Sequence, residues 1–140
     1  KLPEQIPAMC DMVFRCAHEP MRKPWPGVYH CKYSTDYVMK DRFNIATRLH
    51  PAPMNLAEIL RAAGYEIARH KDLGWQEEAV AQVAASLLDG QPVAETVNGS
   101  YKHLIEGGVT PAAARWTMRD ALDRSVIQRA LAATDHIFIS

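Results

Sequence analysis

Cysteine is scarce in this sequence, at three of 140 residues. Such a small, odd number does not make a disulfide scaffold, so we expect reduced thiols in an intracellular, cytoplasmic protein. Long apolar runs are also missing. No stretch approaches the roughly 20 residues that a membrane-spanning helix needs, and no signal-peptide pattern opens the sequence. These absences predict a small soluble protein without a membrane partner.

Neither a charge surplus nor a glycine-rich phosphate loop is present. Sixteen basic residues balance sixteen acidic ones, whereas a dedicated phosphate binder usually has a clear basic excess. Gly107-Gly108 is the one adjacent glycine pair, and neither the dinucleotide-binding pattern nor the P-loop pattern occurs. We therefore expect no nucleotide cofactor bound in those ways. The acidic pair Glu77-Glu78 is expected to be exposed on a helix rather than to serve as acid and base.

The composition that remains is that of a globular protein. Hydrophobic residues make up 48% and charged residues 23%, which predicts one domain over residues 1–140 with a sizeable core. In the first half, apolar residues at helical spacing predict a helix within residues 3–18. Glu19-Pro20 would end it, because a residue before proline avoids helical backbone angles. Alternating side chains then predict strands at 28–34 and 42–49, which could pair as a hairpin.

Helices dominate the prediction for the second half. Asn55 is a good N-cap for a helix that Gly64 would end, and either a short strand at 65–69 or a continued helix would follow. The apolar stripe of residues 75–89 predicts the clearest helix. Asn98-Gly99 is a turn signal, after which a short helix and a long last helix are expected.

The final residues, 136–140 with sequence HIFIS, are apolar and favour a last strand. Taken together, the elements predict an α+β fold. We expect a small β-sheet or hairpin from the N-terminal half, packed on a helical C-terminal half.

A cysteine-bounded segment, residues 16–31, contains candidate metal ligands. Cys16, His18, His30 and Cys31 are nitrogen and sulfur ligands of the kind that zinc prefers. Their spacing is poor, because helical neighbours two apart point to nearly opposite sides and adjacent strand residues point to opposite faces. Buried structural cysteines are the simpler interpretation. A Cys16–Cys31 disulfide and a thiol- or zinc-dependent enzyme built on these four residues are the alternatives.

Residues 101–122 could form two helices around a glycine turn, as in a DNA-binding helix-turn-helix. Thr110 would cap the second helix, and Arg115 and Arg119 near its start could read guanine edges. The neutral net charge argues against this interpretation, and Trp116 on that helix is expected to be buried. An ordinary helical hairpin has the same pattern. A nucleic-acid-binding regulator is therefore an alternative rather than the main prediction.

The loop inside the 16–31 segment is the better functional clue. Prolines keep it out of regular structure, and it contains Arg22, Lys23 and Trp25, with Tyr29 close behind. Arginine, tryptophan and tyrosine are common anchors of protein interfaces. We therefore predict a binding or regulatory protein, not an enzyme, that contacts another protein through these four residues or through its last helix.

Overall fold

The computed structural model describes residues 12–22, 26–30, 40–49, 51–67 and 74–139. Within these residues the chain forms five short β-strands, followed by four α-helices. The strands are β1 Met12–Val13, β2 Arg15–His18, β3 Gly27–His30, β4 Lys40–Asp41 and β5 Ala52–Pro53. The helices are α1 Leu56–Ala62, α2 Gly74–Leu88, α3 Val93–Glu106 and α4 Pro111–Ile139.

The strands form two antiparallel groups. β3 lies between β2 and β5, with Cys16 opposite Tyr29 and Tyr29 opposite Ala52. β1 pairs separately with β4. The helix predicted within 3–18 is therefore wrong for residues 12–18, and residues 3–11 lie outside the described part. Pairing with β3 gives the β2 backbone its hydrogen-bond partners, and such tertiary contacts outweigh a weak helical pattern.

The two other predicted strands had different outcomes. The strand at 28–34 is confirmed as β3 as far as His30, and residues 31–34 lie outside the described part. The strand at 42–49 is wrong, because a turn and a 3-10 helix, Ala46–Arg48, occupy this segment. Asn44 has a φ of 54°, which a strand cannot accommodate.

The ends of α1 follow the predicted chemistry. The Asn55 side chain accepts a hydrogen bond from the Glu58 backbone N–H at 3.3 Å, as an N-cap does. Gly64 follows the helix with a φ of 100°, a left-handed conformation that glycine adopts without steric cost. The strand predicted from residue 65 is absent over 65–67, and residues 68 and 69 lie outside the described part.

The last two helices are longer than the sequence patterns predicted. α3 runs through Asn98-Gly99, so the turn expected there is wrong. α4 begins at Pro111, as expected, and continues to Ile139, so the strand predicted over 136–140 is wrong as far as residue 139. A helix satisfies its own backbone hydrogen bonds, whereas a terminal strand must find a free sheet edge.

Two apolar clusters make up the core, and α4 contributes to both. One cluster joins Ala52 of β5 and Ile59 of α1 to Ile127 of α4. The other packs Val80, Val83 and Leu87 of α2 against Met118 and Ala121 of α4. The predicted fold class is confirmed: a small antiparallel sheet from the N-terminal half packs with a helical C-terminal half, giving an α+β protein. In the described ranges, no helix is long and apolar enough to cross a membrane.

Candidate functional site

A cleft of about 230 Å³ lies between the turn after β2, strand β5 and the middle of α4. The end of α2 and the start of α3 close its other side. We call it the arginine cleft. Its lining includes Arg22, Met54, Val93, Arg119, Asp123 and Arg129. The cleft thus combines charged and apolar side chains that lie far apart in the sequence.

The turn between β2 and β3 positions Arg22. The Glu19 N–H donates to the Pro26 carbonyl at 2.8 Å, and the Arg22 N–H donates to the Glu19 carbonyl at 3.0 Å. Gly27 starts β3 next to Met54: a Cβ added to this glycine would lie 3.4 Å from the Met54 Sδ. The small residue therefore lets the turn approach the segment that follows β5.

Arg119 and Asp123 occupy successive turns of α4 and face the segment between β5 and α1. Arg119 Nη2 donates to the Met54 carbonyl at 2.7 Å, and its Nε lies 3.7 Å from Asp123 Oδ2. Asn55 Nδ2 donates both to Asp123 Oδ2 at 3.0 Å and to Asp120 Oδ1 at 2.9 Å. These contacts attach α4 to the start of α1 and fix both charged groups in place.

Asp123 is an unusual acid in this arrangement. Burial raises the pKa of its carboxyl to about 6. The hydrogen bond from Asn55 and the positive charges of Arg119 and Arg22 act in the opposite direction, while Asp120 raises the pKa further. Desolvation therefore outweighs the favourable partners. The carboxylate is ionised at neutral pH but becomes neutral under mildly acidic conditions.

Arg129 forms the far end of the cleft. Its Nη2 donates to the Leu87 carbonyl at 2.7 Å. This carbonyl belongs to the last turn of α2 and also accepts from the Gly90 N–H at 3.2 Å, and the helix dipole favours a cation at this end of the helix. The contact stabilises the end of α2 and fixes the Arg129 guanidinium beside the cleft.

A second charged cluster, which joins α1, α2 and α4, lies on another side of α4. Arg124 donates through Nε and Nη2 to both carboxylate oxygens of Glu58, at 2.9 and 3.0 Å, and through Nη1 to Glu77 at 2.9 Å. Arg61 Nη2 also donates to Glu77, at 3.2 Å. The expectation that Glu77 is simply exposed is therefore wrong, whereas Glu78 is exposed. Two acids and two bases balance here, so the cluster has no excess charge to offer a ligand.

The predicted partner-binding residues have different environments. Arg22 lines the arginine cleft. Tyr29 is half-buried, with its ring centroid 5.2 Å from that of Phe14, and it packs against the first apolar cluster. Burial, helped by Cys16, raises the pKa of its phenol. Lys23 and Trp25 lie outside the described residues. Of the two described members, Arg22 lines the cleft, whereas Tyr29 packs into the first apolar cluster.

The three residues predicted to bind nucleic acid do not form one surface. The Thr110 hydroxyl accepts from the Ala113 N–H at 3.3 Å and caps α4. Arg115 is exposed, while Arg119 is directed toward Met54 and Asp123 in the cleft. Trp116 is 57% exposed rather than buried as expected, and the Arg119 guanidinium lies 5.1 Å from its ring centroid. α3 and α4 form a helical hairpin. Arg115 and Arg119 have different surroundings on it, so they do not form the common surface that was predicted.

The candidate metal ligands are divided between two faces of the sheet. Because residues 15–18 form a strand, Cys16 and His18 share one face, which corrects the expectation that a helix separates them. His30 lies opposite Arg15, on the other face, with its Nε2 3.5 Å from Glu19. Cys31 lies outside the described residues. In the part of the chain that the structure describes, no group of three His, Cys, Asp or Glu side chains could hold a metal ion.

The sequence did not indicate that the residues of the arginine cleft come together in one site. The spacing of Arg119 and Asp123 is an i,i+4 pair that could have been noticed, but their contacts with Met54 and Asn55 join residues 65 and 68 apart. Such contacts leave no local pattern.

Comparison of the chain with protein-family models, curated proteins and solved structures gives no match.

Proposed function

We propose that this protein is a binding or regulatory protein that contacts another protein through the arginine cleft. The observation behind the proposal is that Arg22, from the loop expected to meet a partner, shares the cleft with Arg119 and Arg129 of the last helix. The two segments predicted as contact surfaces are thus adjacent walls of one site.

The surroundings of the cleft have the chemistry of a protein interface. Val93 and Val126 line it and are 54% and 42% exposed, although both are apolar. Arginine side chains beside exposed apolar ones are typical of the centre of an interface.

The size of the cleft is compatible with this function. Its volume of about 230 Å³ is below the roughly 300–1,000 Å³ usual for small-molecule pockets. A cleft of this size suits one or two side chains of a partner.

Site-specific photo-crosslinking in cells that make the protein naturally tests the proposal. A benzophenone amino acid at position 126 should crosslink a defined protein, and Arg22→Gln should reduce that crosslink. The control is the same crosslinker at Arg115, which lies on the same helix but is exposed outside the cleft. Equal crosslinking from both positions, or none from position 126, would refute the proposal.

A further inference from the structure

We infer that the arginine cleft recognises an acidic peptide segment in which a carboxylate side chain lies next to an apolar one. The inference rests on the proposed function, and it assigns the chemistry of the partner. It follows from the charge of the cleft, the fixed positions of its guanidinium groups and its apolar walls.

The cleft concentrates positive charge in a chain that has none overall. Its described lining contains three guanidinium groups, from Arg22, Arg119 and Arg129, and one carboxylate, from Asp123. The formal charge of the lining is therefore +2 at neutral pH, while that of the whole chain is zero. A concave site with low-dielectric walls focuses such a field and attracts ligands of opposite sign.

Two of the guanidinium groups are positioned before any ligand arrives. Arg119 is fixed by the Met54 carbonyl and Asp123, while the more exposed Arg129 is oriented by one hydrogen bond to the Leu87 carbonyl. A side chain that is already ordered loses little further conformational freedom on binding. Arginine also suits a carboxylate, because its planar fork matches both carboxylate oxygens.

The apolar part of the lining distinguishes a peptide from a simple anion. Met54 and Leu122 form the wall, and the half-exposed Val93 and Val126 border it. An inorganic anion would leave this surface in water, whereas a leucine or valine beside an acidic residue would cover it.

Fluorescence anisotropy with defined peptides tests the inference. The probe is a fluorescein-labelled peptide of three Glu-Leu repeats, measured at pH 7.5 and low salt against the full chain. It should bind at least about tenfold more tightly than peptides of three Gln-Leu repeats or six glutamates, and added salt should weaken it. Equal affinity for the Gln-Leu peptide would overturn the role of charge, and equal affinity for hexaglutamate would overturn the role of the apolar wall.

Three variants locate the binding. Arg22→Gln should lower the affinity for the Glu-Leu peptide by about fivefold. Arg115→Gln, which lies outside the cleft, should leave this affinity unchanged. Asp123→Asn should tighten binding, because it removes the one negative charge from the lining while an amide oxygen can still accept from Asn55. Unchanged affinity in both cleft variants, with folding verified by circular dichroism, would overturn the inference.

Two further results would separate this inference from the proposed function. Crosslinking from position 126 without binding of the acidic peptide would overturn only the peptide chemistry. Failure of both would overturn the protein-binding proposal as well. A labelled single-stranded oligonucleotide that binds more tightly than the peptide and loses affinity in Arg22→Gln would assign the cleft to nucleic acid instead.

Discussion

Asp123 shows how strongly one residue depends on its neighbours. On α4 it is one polar position among several, but the fold buries it beside Asn55 and Asp120 and only 3.7 Å from Arg119. Its side chain is 13% exposed. Water is the best solvent for a carboxylate, and two partners replace that solvation incompletely. The ionised form is therefore tolerated by the fold at a cost.

This cost predicts a pH-dependent difference between the wild type and Asp123→Asn. The pKa of Asp123 is about 6 in the folded chain, against an ordinary value of 3.8 for an aspartate in water. Since the folded state binds the proton more tightly, the wild type loses stability as the pH rises from 4 to 6. At about 1.4 kcal/mol per pH unit of pKa difference, and with part of the effect already present at pH 4, the free energy of unfolding should shift by about 2 kcal/mol in favour of the variant between pH 4 and pH 7. Urea denaturation of both proteins at pH 4 and pH 7 measures this difference in the free energy of unfolding.

Asp89→Asn is the matched control, because Asp89 is exposed at the end of α2. Its stability difference from the wild type should be nearly the same at both pH values. A flat difference for Asp123→Asn as well would mean that the carboxylate is better solvated than its burial implies.

At the scale of elements, helix ends were easier to predict than helix interiors. Asn55 and Gly64 delimit α1 by local chemistry, because capping and a left-handed φ need only a few neighbouring residues. Asn98-Gly99 looked like a turn by the same reasoning, yet it lies inside α3. Contacts of α3 with α2 and α4 supply the stabilisation that the local sequence lacks.

Alanine substitutions distinguish a glycine that ends a helix, Gly64, from a glycine inside a helix, Gly99. Gly99→Ala should raise the free energy of unfolding by about 0.5–1 kcal/mol, because alanine favours a helix interior and an added Cβ meets nothing within 4 Å. Gly64→Ala should lower it by about 1 kcal/mol, because the φ of 100° at this position strains any side chain. Thermal melts monitored by circular dichroism compare the two. Destabilisation by Gly99→Ala would favour the turn over the helix.

At the scale of the whole molecule, α4 is the element that joins the parts. It packs on both apolar clusters through Met118 and Ile127, and Arg124 links it to α1 and α2 through Glu58 and Glu77. The prediction of one domain over residues 1–140 implies that these parts unfold together.

Hydrogen exchange tests this cooperativity. Ile59→Ala removes a fully buried side chain from the first cluster and should lower the free energy of unfolding by about 2–5 kcal/mol. If the chain is one cooperative unit, the slowest amides of α2, in the other cluster, should exchange faster by the same factor as those of α1. Val126→Ala, at the exposed cleft edge, should leave both unchanged. Acceleration confined to α1 would indicate two independent units.

The sequence by itself determined the α+β class, the amphipathic helix at α2, the β3 strand and the caps at Asn55, Thr110 and Gly64. These features depend on side-chain periodicity and on the chemistry of a few adjacent residues. It also led to the prediction, still to be tested, that Arg22 and the last helix contact a partner, although it had no means of placing them together.

Tertiary structure decided the rest. It converted residues 12–18 into strands, buried Glu58 against Arg124 and assembled Arg22, Arg119, Asp123 and Arg129 around one cleft. The deciding partner lies outside the local sequence in each case, from 9 to 15 residues away for the β2–β3 pairs to 66 residues for the Glu58–Arg124 pair. Burial then changes what a side chain can do, because a charge or a backbone group removed from water must find its partner within the fold.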